Sequence, residues 1–412
     1  MKLFTGSNIH KKIVITLSIA LWCLALGVIG KFIYVYGLLG SDFTPDYMAA
    51  FFFRRGLSIY DPTMPIITLE QIGIGGIPNY HPPFTALIYL PFSYLPYQVA
   101  SWLWSALIVL LYVCFLLGLK KTLNLSSRWN MLVAPLLFLW YPFLFNVGTT
   151  QASLIIVYLI FIAWKAVRHS EKTWVAGACL AFASFFKLFP MIFCIYFVLT
   201  KQWRNLLSFS VVFIIGIASV LHTMGIETVV YYISKIIPEQ SDIFCTLPLN
   251  VSITGTFSPL LRDNFFVDPL FNSPEILKII IGILFLSLLI PSCWVVCRLS
   301  NRRKEESFLL FVPLMQLLSP ISWAHMFLIN LLVIFYLLKM RDELPSLSGK
   351  LLSVCLLLFS FPDVLFFKWA YSFSEGSTIS PWIFILSRFG VLGLLLLWGV
   401  TYNLLLERSR KS

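Results

Sequence analysis

Four polar clusters stand where a hydrophobic run ends: Ser41-Asp42-Phe43, Tyr80-His81-Pro82-Pro83, Asn250-Val251-Ser252 and Ser319-Pro320-Ile321-Ser322-Trp323-Ala324-His325. They supply a carboxylate and two imidazoles, side chains able to take and give protons near neutral pH. Lys187, followed by Pro190, adds a cation within an apolar stretch, where it needs an anionic or carbonyl partner unless it snorkels to the headgroups. The plain alternative for Asp42 is a solvated loop carboxylate. Separate chain ends of this kind can converge on one wet site at a bilayer face, whereas apolar spans cannot carry acid–base or phosphate chemistry.

The elements that must position these groups are membrane helices. Of 412 residues, 59% are hydrophobic and only 12% charged, and the mean hydropathy is +0.88. These values lie far from soluble averages. Because a backbone in lipid must satisfy its own hydrogen bonds, the expected fold class is all-α, a polytopic transmembrane helical bundle forming a single domain over 1–412. The first run, Ile13 to Leu39, is too long for a signal-peptide core and is expected to remain as a span.

A net charge of +12 raises the question of a nucleic-acid partner, but the placement of the bases argues for membrane topology instead. Lys2 and Lys12, Lys120 and Lys121, Arg168 and Lys172, Lys201 and Arg204, Arg298 to Lys304, Lys339 and Arg341, and Arg408 to Lys411 all mark short turns. The long loops 40–83, 224–274 and 368–380 carry ten of the 18 acidic residues and few bases. Both termini are therefore expected in the cytoplasm, with the polar clusters on the extracytoplasmic face of the inner or plasma membrane. Seven of the eight cysteines sit in apolar runs and only Cys245 in an outer loop, so neither a disulfide framework nor a thiolate zinc site is expected.

With those anchors the spans fall near 13–39, 98–119, 129–146, 151–168, 173–186, 188–200, 205–223, 275–297, 307–319, 325–339, 351–367 and 381–406, about twelve in all. The pair 173–200 is too short for two full crossings and reads as a short hairpin, with bases at both ends. Residues 84–96 read as a re-entrant or interfacial piece. In the first outer loop, Thr44-Pro45 looks like a cap followed by proline at the first helical position, and Gly56 like a stop. The helix between them is expected to lie in the interface, with Tyr47, Met48, Phe51 and Phe52 on lipid and Arg54 and Arg55 at its C-terminal end.

Absent signals narrow the chemistry. There is no phosphate-binding Gly-x-x-x-x-Gly-Lys loop, and Gly73, Gly75 and Gly76 lack the strand and helix of a dinucleotide site. His81, His222 and His325 lack metal-ligand spacing, and the first outer loop has no Asp-x-Asp pair, so no metal and no cofactor is expected.

The ordered set Ser41-Asp42-Phe43 with Tyr47, Gly56, Tyr60-Asp61, Tyr80-His81-Pro82-Pro83-Phe84 with Trp104, Gly148 and Gln151, Lys187 with Pro190, Asn250-Val251-Ser252 and Ser319 to His325 resembles the polyprenol-phosphate-mannose-dependent α-mannosyltransferases, C-type integral membrane glycosyltransferases. The resemblance covers roughly residues 40–330. In two places the chain departs from the family pattern: His81 precedes the prolines where an aromatic or small residue is expected, and Met326 follows His325 where a second His is common.

The resemblance implies metal-independent inverting transfer of a sugar, mannose, from a polyprenyl-phosphate donor to an extracytoplasmic lipid or glycan acceptor. It implies Asp42 as the general base, assisted by His325. Lys187, Arg262 or the Arg54-Arg55 pair would seat the phosphate, and Asp46, Tyr80, His81, Gln151, Asn250 and Trp323 would contribute to substrate binding. The rival reading is a transporter or flippase, a common use of such a helix count. Against it, the polar groups gather at one face.

Overall fold

Apolar surroundings demand that backbone groups pair within their own segment, and the chain answers with helices. In the computed structural model, residues 8–39, 42–126, 129–169, 174–299, 303–340, 346–374 and 378–411 are described, and strand-like pairing among them is confined to one isolated bridge between Val267 and Ile379. Lys2, Ser41, Lys172 and Arg341, named above, lie outside the described residues.

Among the described residues five helices are long and apolar enough to cross a membrane: Lys12–Val35, Tyr97–Leu123, Trp203–Cys245, Pro274–Arg298 and Phe389–Arg410. Two bent pairs, Met131–Phe138 with Tyr141–Gly148 (43°) and Ser348–Phe359 with Asp363–Phe373 (57°), bring the number to seven. Length and composition thus support five to seven crossings among the described residues, and the expected count of about twelve is not confirmed. The remaining runs are helical but short. Ser153–Arg168, Val175–Phe186 and Lys304–Leu317 have 16, 12 and 14 residues, roughly 24, 18 and 21 Å at 1.5 Å per residue, against a core of about 30 Å. They stop because Thr149-Thr150-Gln151, Lys187-Leu188 and Ser319 to Trp323 interrupt them, and irregular backbone is tolerated at that depth where it lines a cavity.

The hairpin at 173–200 turns back as its flanking bases suggested. On one arm the Gly177 N–H donates to Asn205 Oδ1 (3.3 Å), and on the other the Tyr196 hydroxyl donates to the Lys304 carbonyl (2.8 Å). Lys187 occupies the turn at the opposite end, in extended backbone. The helix Ser153–Arg168 measures the separation of those ends. At its start Ser153 meets His325; at its finish Arg168 Nε lies 3.2 Å from Glu305 and Trp164 Nε1 donates to the Glu305 carbonyl. Arg408 pairs with Glu306 beside them. The basic turns at 168, 303–306 and 408 therefore share one end of the bundle, roughly 24 Å from the polar clusters.

Two outer-loop expectations change. The first helix of that loop is Phe43–Arg54, with Asp42 rather than Thr44 at its N-terminus, and Gly56 ends it at φ +72° as expected. Its apolar face does not lie on lipid: Tyr47, Met48 and Phe52 are buried in the protein and Phe51 is half-buried. Residues 226–245, expected as loop, continue as helix past Gly225, whose φ of +80° places a kink there that glycine alone adopts freely.

Candidate active site

Asp42 is held by the turn Thr149-Thr150-Gln151, more than a hundred residues away in sequence. Its backbone N–H donates to the Thr149 carbonyl (3.2 Å), and the Phe43 N–H donates to Thr150 Oγ1 (3.4 Å). Thr150 sits at φ +51°, a left-handed conformation that a β-branched residue rarely adopts. Such strain costs about 1–3 kcal/mol and persists only where contacts over-determine it. Here the Trp104 indole donates to the Thr150 carbonyl (3.2 Å). Phe43 completes the anchor, fully buried among Tyr47, Tyr89, Phe92, Tyr97 and Trp104.

The side chains then form a chain of contacts. Gln151 Nε2 donates to the Asp42 carboxylate in a short hydrogen bond, and Lys187 Nζ donates to Gln151 Oε1 (3.5 Å). One turn along the helix from Asp42, Asp46 presents its carboxylate to His81 Nδ1 at 2.7 Å. Burial raises the Asp42 carboxyl above its ordinary value of 3.8, against the opposing charges of His81 and Lys187 and the Gln151 hydrogen bond, and the nearby Asp46 adds to the rise. Burial also works against the His81 cation, but the charge and hydrogen bond of Asp46 outweigh it and hold the imidazole above its ordinary 6.5. The Lys187 ammonium falls to about 8 through burial, against the pull of Asp42 and Asp46.

These groups open onto a cavity of about 740 Å³ whose lining includes Asp42, Tyr80, His81, Gln151, Lys187, Trp323 and His325. Most of its remaining wall is apolar, with Phe145, Phe186, Phe189, Ile192, Tyr232 and Phe244 prominent. Among the described residues Lys187 makes no ion pair. His325 is buried, its Nδ1 2.8 Å from Ser153 Oγ and its Nε2 without a partner among the described residues. Tyr80 and Trp323 both set their rings against Phe244, and the Tyr80 hydroxyl donates to Glu239 (3.4 Å).

Other residues expected here are not brought to the cavity. Arg54 and Arg55 lie at the far end of their helix, their guanidinium groups over Phe51 (5.4 and 4.1 Å) and that of Arg54 also over Tyr94 (4.7 Å). Arg262 pairs with Asp242 (3.3 Å) and contacts Cys245 Sγ. Asn250 is near the site but its amide is fully used: Nδ2 donates to the Phe244 and Pro320 carbonyls, while Oδ1 accepts from the Ser252 and Ser322 N–H groups. All four of its hydrogen-bonding positions thus join the 244–252 and 320–322 loops. Gly255 fits beneath it, since a Cβ there would come within 2.4 Å of Asn250.

Sequence reasoning missed Ser153 and Arg388. Arg388 is buried and donates to the Pro248 (2.7 Å) and Asn250 (3.3 Å) carbonyls, pinning the same loop from the break just before the helix Phe389–Lys411. The signal was present: a lone arginine inside an apolar run calls for a partner. Among the described residues no three His, Cys, Asp or Glu side chains converge as metal ligands.

Among the described residues the arrangement supplies a half-buried carboxylate, an ammonium without an ion pair and a free imidazole nitrogen in the lining of one largely apolar cavity. A proton acceptor beside an anion seat, with a greasy wall beyond, suits an amphiphilic substrate carrying an anionic group. A family model, Glycosyltransferase family 87, matches residues 79–320. The polyprenol-phosphate-mannose-dependent alpha-(1-2)-phosphatidylinositol pentamannoside mannosyltransferase of Mycolicibacterium smegmatis is 24% identical over 258 residues, 60% of this chain and 58% of that protein. An alpha-(1->3)-arabinofuranosyltransferase of Mycobacterium tuberculosis is 26% identical over 187 residues, 43% of this chain and 40% of that protein. The chain thus spans less than two thirds of either relative's length. No solved structure gives a significant match.

Proposed function

Because the chain belongs to glycosyltransferase family 87, we propose that it transfers a sugar, mannose as first choice, from a polyprenyl-phosphate donor to a lipid or glycan acceptor at the extracytoplasmic face. The observation that carries this reading is the Gln151 amide, which contacts the Asp42 carboxylate on one side and the Lys187 ammonium on the other in the lining of an apolar cavity. A base and a phosphate seat then lie one amide's width apart, as attack at a sugar carbon bonded to phosphate requires.

In this mechanism the acceptor oxygen attacks C1 of the sugar while Asp42 takes its proton. The C1–O bond to phosphate breaks and its electron pair stays on the phosphate, whose growing charge Lys187 receives. His325, its ring oriented by Ser153, offers Nε2 to the acceptor hydroxyl or a phosphate oxygen. The apolar wall takes the first isoprene units. A single displacement of this kind inverts the sugar, so a β-linked donor gives an α-linked product. No step is assigned to a metal. The grouping of basic turns at the opposite end supports placing the cavity outside and the termini in the cytoplasm.

Purified protein in bilayers, given polyprenyl-phosphate mannose and, separately, a polyprenyl-phosphate pentofuranose, is expected to release polyprenyl phosphate from one of them. The second donor is included because one relative is named for arabinofuranose. Movement of either lipid across the bilayer with no cleavage would overturn the reading in favour of a carrier.

A further inference from the structure

The mechanism above leaves the Asp46–His81 pair without a task, although the structure builds it with care. His81 is fixed on three sides: its N–H donates to Asn79 Oδ1 (3.0 Å), its carbonyl accepts from the Tyr60 hydroxyl (2.7 Å), and Nδ1 meets Asp46 at 2.7 Å. Pro82 and Pro83 follow directly and restrict the backbone further. Asp46 is buried, with the His81 imidazole against its carboxylate and the Tyr89 hydroxyl beside it. Nε2 makes no hydrogen bond among the described residues, while His81 lines both the large cavity and the small hollow shared by Asp42, Asp46, Gln151 and Lys187.

We propose that Asp46 and His81 form a dyad in which the carboxylate orients an imidazolium whose Nε2–H is a second donor, beside Lys187, to the phosphate of the lipid-linked sugar. This rests on the donor reading above and deepens it. It also divides labour between two carboxylates one helical turn apart. Asp42 faces the cavity through Gln151 and takes the acceptor proton, while Asp46 reaches the substrate only through His81 and is a positioning residue. The step balances without a new reagent: the acceptor O–C1 bond forms, C1–O(P) breaks, the acceptor proton goes to Asp42, and the phosphate gains one negative charge. Lys187 and His81 receive that charge from two different elements, and His81 keeps its proton. Facing a carboxylate, Nδ1 must carry a hydrogen, so a doubly protonated ring leaves Nε2–H for the ligand.

The groups around His81 set its pH response. Asp42 and Asp46 favour the imidazolium, while Lys187 opposes it. The Tyr60 hydroxyl lies on the His81 carbonyl, and Tyr89 stands beside Asp46. Loss of the His81 imidazolium, held above its ordinary 6.5, therefore weakens phosphate binding as pH rises, and loss of the Lys187 ammonium near 8 weakens it too.

The test measures binding of polyprenyl phosphate itself, and donor kcat and KM, from pH 5.5 to 9. His81→Gln is expected to weaken polyprenyl-phosphate binding at pH 6 by about tenfold to a hundredfold, the worth of one charge-assisted hydrogen bond, and to abolish the alkaline limb that His81 contributes. Asp46→Asn is expected to move that limb downward with a smaller loss at pH 6. His81→Lys is expected to recover binding and to bind on past pH 8. Variants that keep wild-type binding and profile would overturn the dyad alone, as would a profile in which activity rises through the His81 titration, since His81 would then be a base. Wild-type protein that binds no polyprenyl phosphate overturns the donor assignment and the dyad with it. Asp46→Asn, nearly isosteric and read by a pH shift, keeps the test decisive if His81→Gln folds poorly.

Discussion

Replacing Asp42 by Asn is expected to separate catalysis from folding. The amide keeps the side-chain volume and an oxygen that accepts from Gln151 Nε2, and the backbone bond from residue 42 to Thr149 is untouched. What disappears is the group proposed as base. Losing a general base costs about a hundredfold to ten-thousandfold in kcat, or roughly 2.7–5.5 kcal/mol of barrier. Stability should move the other way. Because burial raises the Asp42 carboxyl above 3.8 despite His81, Lys187 and Gln151, the folded protein disfavours the carboxylate. A raised carboxyl contributes no penalty below its unfolded value. The penalty grows as pH rises from 3.8 to the folded value and is constant above it. At pH 7.5 the Asn variant should therefore melt at or above the wild-type temperature, and the two should converge near pH 4. The assay pairs release of polyprenyl phosphate with thermal melts in one detergent, and the wild-type acid limb should lie above the ordinary carboxylate range. Turnover within about threefold of wild type, against the expected loss, would refute the base assignment. A melting temperature that drops at pH 7.5 would show instead that Asp42 serves mainly to start its helix.

Three further outcomes are expected. Lys187→Gln should raise donor KM or lower donor kcat tenfold or more, about the worth of one charged contact, with acceptor affinity unchanged. Equal donor kinetics would remove Lys187 from the phosphate seat. Asn250→Ala should lower stability by about 2–6 kcal/mol, because the buried Ser252 and Ser322 N–H groups lose their acceptor at about 1–3 kcal/mol each. A melt equal to wild type with a raised KM would make Asn250 a substrate ligand after all. A cysteine at exposed Leu57, in the loop expected outside, should react with an impermeant maleimide from outside, and one at Arg298 only from within. The reverse pattern would invert the membrane orientation and with it the extracytoplasmic site.

By itself the sequence determined the solvent this protein folds in, and through it the helical class. With 59% hydrophobic residues and turns rich in bases, backbone hydrogen bonding in lipid leaves helices as the consistent outcome for runs of this length. It also marked Asp42, His81, Gln151, Lys187, Trp323 and His325, since polar residues at the ends of apolar runs are few and the structure gathers these on one cavity. Tertiary structure decided which of the remaining charges were free. Arg54, Arg55 and Arg262 looked as available as Lys187, but the first two lie against aromatic rings away from the cavity and Asp242 pairs with the third. Likewise Asn250 resembled a substrate ligand until four loop contacts accounted for its amide, and Arg388 and Ser153 acquired meaning only from partners at 248–250 and 325. The same holds for the spans: hydropathy registers that a run is apolar, whereas the depth at which it stops is set by the cavity it ends against. Local composition fixes the cost of placing a group in lipid or water, but a charge or amide is satisfied by whichever group meets it in space. Here those partners are often more than a hundred residues apart, as Asp42 is from Thr149 and Arg388 from Pro248.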